Sequence, residues 1–132
     1  MTPTYRAAFT GDRRNVPLAR NAIASFARIC GFSHEEVADI RVAAGEALSN
    51  AVEHGRTRRS NGFSVRCIFS EEELTIEIRD NGEGFSFDGK RDETPMEQRS
   101  RGFGIFLMRR LMDHVAFEKG GTMVRLTRRH VS

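Results

Sequence analysis

The stretch SHEEVADIRVAAGEALSNAVEH, residues 33–54, decides how the rest of the chain is read. It opens on Ser33-His34-Glu35-Glu36, a capping box in which the Ser33 hydroxyl accepts from the Glu36 amide while the Glu36 carboxylate reaches back to the amide of Ser33. From there Val37, Ile40, Ala44, Ala47, Leu48 and Ala51 recur at helical spacing and make one apolar stripe, so the stretch predicts a long amphipathic helix ending near His54. A second feature runs along one edge of that helix. Glu46, Asn50 and His54 stand four residues apart, which puts a carboxylate, an amide and an imidazole on one ridge away from the stripe. A helix with a single stripe has to bury it against another layer, and the flanking sequence supplies that layer.

Upstream, Thr4 to Thr10 reads as a short edge strand. Val16, Ala19, Ile23, Phe26, Ala27 and Cys30 then predict a first helix, with Asn15 as its N-cap, Pro17 in its first turn and Gly31 as its stop. Downstream, Phe63, Val65, Cys67 and Phe69 alternate at period two, as do Leu74, Ile76 and Ile78 beyond the acidic turn Glu71-Glu72-Glu73. These read as an antiparallel hairpin. Residues 86–101 lack periodicity. Gly104 then opens a short helix carrying Ile105, Leu107, Met108, Leu111 and Met112, and a second hairpin, Val115–Phe117 with Thr122–Thr127, turns at Lys119-Gly120-Gly121. The expected fold is α+β: a two-layer α/β sandwich with one mainly antiparallel mixed sheet and helices on one face.

Composition narrows the function classes. The chain has 132 residues, 39% hydrophobic and 30% charged, which fits one globular domain spanning 1–132. No apolar run is long enough to cross a membrane and the N-terminus lacks a signal peptide's pattern, so the cytoplasm is expected. Cys30 and Cys67 have no CxxC partner and read as buried thiols. The net charge of +3 comes with arginine pairs at Arg13-Arg14, Arg58-Arg59, Arg109-Arg110 and Arg128-Arg129. With one Tyr, no Trp and acids interrupting the clusters, a solvated surface or protein interface is expected, and no direct nucleic-acid contact.

Two glycine turns join the ridge as candidate chemistry. Asp80-Asn81-Gly82-Glu83-Gly84-Phe85 follows directly on a strand but has no obvious partner strand after it. Glycines let backbone approach a flat ligand, and an aspartate at a strand end can accept from an exocyclic amine. Arg101-Gly102-Phe103-Gly104 precedes the short helix, where free amides and the dipole favour an anion. That turn is only GxG. It lacks the third glycine of a dinucleotide fingerprint and the Lys-Ser/Thr of a P-loop.

The order and spacing of the three, Glu46 to Gly55, Asp80 to Phe85 and Arg101 to Gly104, resemble the N, G1 and G2 boxes of the GHKL ATPases, the superfamily of gyrase, Hsp90, MutL and histidine kinases. Within it, the short chain and Leu111-Met112-Asp113 followed by a hairpin resemble the anti-sigma-factor serine kinases of the RsbW and SpoIIAB type.

The resemblance implies ATP and Mg²⁺ as cofactors. It assigns Glu46 as general base, Asn50 as the Mg²⁺ ligand and His54 as the last position of the same box. It assigns Asp80 to the adenine amino group, with Gly82, Gly84 and Phe85 giving the base and sugar room. It assigns Gly102, Phe103 and Gly104 to the phosphate-facing turn, and residues 86–101 to a lid. Arg101 is placed on a phosphate by its charge and position alone.

Without a dimerisation helix or a transducer domain, the expectation is a small regulator. The implied function is an anti-sigma factor that binds a sigma factor and phosphorylates a serine on a STAS-type anti-anti-sigma protein, as a homodimer. The alternative is a nucleotide-dependent partner-binding module without kinase activity.

Overall fold

A computed structural model describes residues 2–57, 62–80 and 95–130; for residues 54–57, 95–102 and 120 it describes the backbone alone. The chain runs β1 (Thr4–Phe9), α1 (Asn15–Ile29), α2 (His34–Thr57), β2 (Phe63–Ser70), β3 (Glu73–Asp80), α3 (Pro95–Leu111), β4 (His114–Glu118) and β5 (Met123–Arg129). The strands form one sheet in the order β1-β2-β3-β5-β4. All four pairings are antiparallel, so the parallel component implied by a mixed sheet does not occur among the described strands.

Alternation along the strands produces the two layers. Val65 pairs with Ile78, Cys67 with Ile76, Ile78 with Val124 and Ile76 with Leu126, which lays one apolar face across the central strands. α1, α2 and α3 cover that face, and α2 lies between the other two. The stripe expected on α2 is the centre of the core: Val37, Ile40, Ala44, Ala47 and Leu48 are all buried. Its start is the expected capping box. The Ser33 amide donates to Glu36 Oε1 at 2.8 Å and the Glu36 amide donates to Ser33 Oγ at 3.1 Å. Gly31 turns the chain between α1 and α2 at φ +99°, a conformation open to glycine and strained for other residues.

Three expectations are corrected. Asn15 is the first residue of α1 and not its cap: Arg14 holds the N-cap position without a side-chain cap bond, and Asn15 Nδ2 instead donates to the carbonyl and hydroxyl of Thr10. α2 continues to Thr57, one turn past the expected end. α3 begins at Pro95, so Gly102 and Gly104 lie inside the helix and not at its opening. The segment before Gly102 has no apolar period, but Met, Glu, Gln and Arg are good helix formers and Pro95 suits a first turn.

Candidate nucleotide site

α2 brings Glu46 and Asn50 to the margin between its packed stripe and solvent, where both are half-buried, and the backbone of His54 extends the same ridge by one turn. β3 ends at Asp80. Its amide donates to the Thr122 carbonyl at 2.7 Å, which fastens the strand end to the start of β5. By alternation the Asp80 side chain continues the inward row of Leu74, Ile76 and Ile78, and Asp80 is only 5% exposed. A carboxylate in that position costs free energy unless polar partners surround it, so its presence in place of an apolar residue marks a polar requirement. Asp80 pairs with Phe63, the first residue of β2, and a short connection links Phe63 to the end of α2. Asp80 and the C-terminal half of α2 therefore share one end of the domain.

The third motif reaches the first through a missing side chain. A Cβ on Gly104 would stand 2.9 Å from Glu46 Oε2, closer than real Cβ contacts come. α3 thus crosses α2 where glycine leaves the carboxylate room. One turn on, Met108 is fully buried and holds the crossing in place.

Phe103 is exposed on α3 and stacks on Phe106, ring centroids 6.4 Å apart. The backbones of Arg101 and Gly102 lie within α3. Because the helix begins at Pro95, the amides of residues 102–104 are not those of a free N-terminus, and the expected anion site at an opening GxG turn is corrected to that extent. Gly82, Gly84 and Phe85 lie outside the described residues, as do residues 86–94 of the expected lid; its 95–101 part forms the first turns of α3.

The sequence reading missed Arg20. It lies on α1 across Gly45, the residue before Glu46, where a Cβ would stand 3.2 Å from Arg20 Cδ. Its Nε is buried with no hydrogen-bond partner among the described residues. The available signal was Gly45 itself, a helix-weakening residue in mid-helix.

A half-buried acid and amide one turn apart, a buried aspartate at a strand end and a glycine cleared against the acid suit a ligand with both a polar flat group and a charged one. Comparison with known proteins gives the class: the chain belongs to the histidine kinase-like ATPase domain family, which matches residues 9–128. Within that class it belongs with the anti-sigma F factors and RsbW-type serine-protein kinases. It is 31% identical over 127 residues to the anti-sigma F factor of Thermoanaerobacter pseudethanolicus, covering 91% of this chain and 89% of the relative. It is 32% identical over 123 residues to the serine-protein kinase RsbW of Bacillus subtilis, covering 86% and 77%.

The fold is also that of a crystal structure of the RsbU and RsbW domains of Rv1364c from Mycobacterium tuberculosis, with a TM-score of 0.69 at 20% identity. That match covers 97% of this chain, which spans 31% of the other protein. No described helix is long and apolar enough to cross a membrane.

Proposed function

We propose that this chain is a Mg-ATP-dependent serine-protein kinase of the anti-sigma type, which holds a sigma factor and phosphorylates a serine on a STAS-type antagonist, acting as a cytoplasmic homodimer. The observation that carries the reading is Gly104 against Glu46, where the missing side chain leaves room for a carboxylate at the crossing of α2 and α3. The residues present fit the nucleotide and its metal. Asp80 offers a buried carboxylate, an acceptor of the kind an exocyclic amine needs, and Asn50 offers one hard oxygen on the ridge beside Glu46. Among the described residues no three acidic, His or Cys side chains gather to hold a metal. Mg²⁺ in phosphoryl-transfer sites needs only one or two protein groups, the substrate phosphates supplying the rest.

In this reading Mg-ATP supplies the phosphoryl group and the charge neutralisation. The protein's part is positioning. Glu46 takes the proton of the attacking serine hydroxyl, Asp80 fixes the base, and Asn50 orients the metal. Gly102 and Gly104 weaken α3 by about 1 kcal/mol each relative to alanine. Unwinding its first turns would move the helix start to the GxG motif and turn free amides toward the phosphates, with residues 86–101 as the lid. His54, Gly82, Gly84, Phe85, Arg101 and Phe103 belong to this proposed site through the motif resemblance.

The test is incubation of the purified chain with Mg-ATP and a serine-bearing STAS-type protein, with transfer read by mass. Transfer that disappears in Glu46→Gln supports the reading. ATP-dependent partner binding with no transfer in the wild type replaces it by the partner-binding module. A nucleotide that binds only the folded state at about 100 times its Kd adds about 2.7 kcal/mol of stability, so an unmoved melting curve in Mg-ATP overturns both.

A further inference from the structure

The face of the sheet turned away from the helices carries a positive cluster that the nucleotide site does not use. By the observed register this face presents Arg6 on β1, Arg66 on β2, Glu77 and Arg79 on β3, and Arg125 with Met123 on β5. Arg6 and Arg66 stand directly opposite each other. Like charges in that relation are destabilising, so a fold free to choose would separate them.

The available acids are already engaged. Glu77 holds Arg66 at 3.3 Å and Arg125 at 3.0 Å, and Glu118 also pairs with Arg125. Arg6 and Arg79 have no ion-pair partner among the described residues. Between them lies a cavity of about 480 Å³. It is open because the opposed pair Ala8 and Ser64 is small, and it is floored by Met123, which is only 4% exposed although α1, α2 and α3 lie on the other face.

We propose that this groove binds an acidic segment of a protein partner, laid across β1, β2 and β3 with its carboxylates on Arg6 and Arg79. Arginine's planar fork suits carboxylates in pairs. The span selects the ligand: neighbouring strands lie about 4.8 Å apart, so β1 to β3 is roughly 10 Å, more than one small anion bridges and a comfortable reach for two acidic side chains of one segment. A second copy of the chain is a poor occupant, because among the described residues five arginines (Arg6, Arg66, Arg79, Arg125 and Arg129) against three glutamates (Glu73, Glu77 and Glu118) leave each face at +2. Among the described strands no Phe, Tyr or Trp stands on this face by the register, so they offer nucleic acid no stacking platform. The inference does not rest on kinase activity.

The experiment uses the full chain and a fluorescein-labelled peptide of alternating Glu and Gly, with a Gln-Gly peptide and a short DNA duplex as competing probes. Three outcomes are expected together. The acidic peptide binds and weakens as salt rises, Arg6→Gln/Arg79→Gln lowers its affinity at least about tenfold, and Arg6→Lys/Arg79→Lys retains most of it. Melting curves with and without Mg-ATP confirm that both double variants fold and still respond to nucleotide. Equal peptide affinity in wild type and the Gln variant overturns the proposal. So does tighter binding of the duplex that depends on the same two arginines, and so does a change in sedimentation of the Gln variant showing that the face joins two copies.

Discussion

At one end of the domain, Ser33 and Glu36 close their reciprocal cap beside Gly31, whose carbonyl accepts from His130 Nε2 at 2.7 Å. The His130 ring packs against Phe32 and Phe69. Arg128 ties Asp39 of α2 to the last carbonyl of α3, at 3.2 and 2.5 Å, and Asp113 binds the backbone of Arg129 at 2.6 Å. At the other end the chain places a buried aspartate, a half-buried glutamate and a glycine facing it. The first end spends its polar groups on joining elements. The second holds its polar side chains at the candidate site, and its helix α3 carries two interior glycines. The fold is fastened at one end and carries its candidate site at the other.

That contrast breaks most visibly at Glu46. Glu46→Gln should cut phosphoryl transfer to the antagonist by about 10²–10⁴-fold, the usual worth of a positioned base. It should change folding stability by no more than about 0.5 kcal/mol, since the residue sits at the packed margin and not in the core. A comparable loss of stability and transfer would show that the site end also holds the fold together.

Gly104→Ala sharpens the same comparison with a smaller effect. Alanine gains up to about 1 kcal/mol over glycine inside a helix. The added Cβ meets the mobile end of Glu46 at 2.9 Å and displaces the carboxylate, not the backbone. The melting temperature should hold or rise while transfer falls about ten- to a hundredfold, the scale of misplacing a catalytic group by about 1 Å. A clear drop in melting temperature would mean that the crossing cannot yield.

Much of the fastened end was legible because its signals are local: a capping box, a glycine stop and two alternating runs each name their own geometry within a few residues. The central helix and the antiparallel hairpins follow from them. The site was legible in part, as three motifs whose residue types suit one ligand, but the Glu46–Gly104 contact joins residues distant in sequence and no local rule announces it. α3 starts earlier than its sequence suggests for a related reason. Its first turns carry helix formers without an apolar face, and the glycines that read as an opening turn are interior residues. Arg20 went unread because what distinguishes it is burial against Gly45, a property of packing between two helices.

Between the two ends, Cys67 reports on the core. Burial within the sheet pushes its thiol up to about 12, and burial raises Cys30 as well. A folded-state value raised above the unfolded one contributes stability that is fully present below about pH 8.5–9 and is lost as pH rises toward 12. Relative to Cys67→Ala, the wild type should lose up to about 1.4 kcal/mol per pH unit above pH 9, followed by urea unfolding. Near neutral pH that stability should not vary with pH, and an alkylating reagent should modify Cys30 well ahead of Cys67. Parallel alkaline losses in both proteins would sink this assignment.

The smallest effect belongs to the fastened end, where it should leave function untouched. Ser33→Ala removes the acceptor for the Glu36 amide and should cost about 1 kcal/mol. The return bond from the Ser33 amide to the Glu36 carboxylate survives, because it needs only backbone. That bond holds the Glu36 carboxyl below its ordinary value, so its stabilisation is present above the ordinary carboxylate range and fades as pH falls through the lowered one. Loss of the hydroxyl and acidification therefore remove different halves of one cap. In acid, the wild type and Ser33→Ala should both weaken, with the gap between them persisting. At neutral pH the stability gained on adding Mg-ATP should be the same in both. A nucleotide response that shrinks with Ser33→Ala would show that the two ends communicate through α2, and the division of labour drawn along that helix would have to be abandoned.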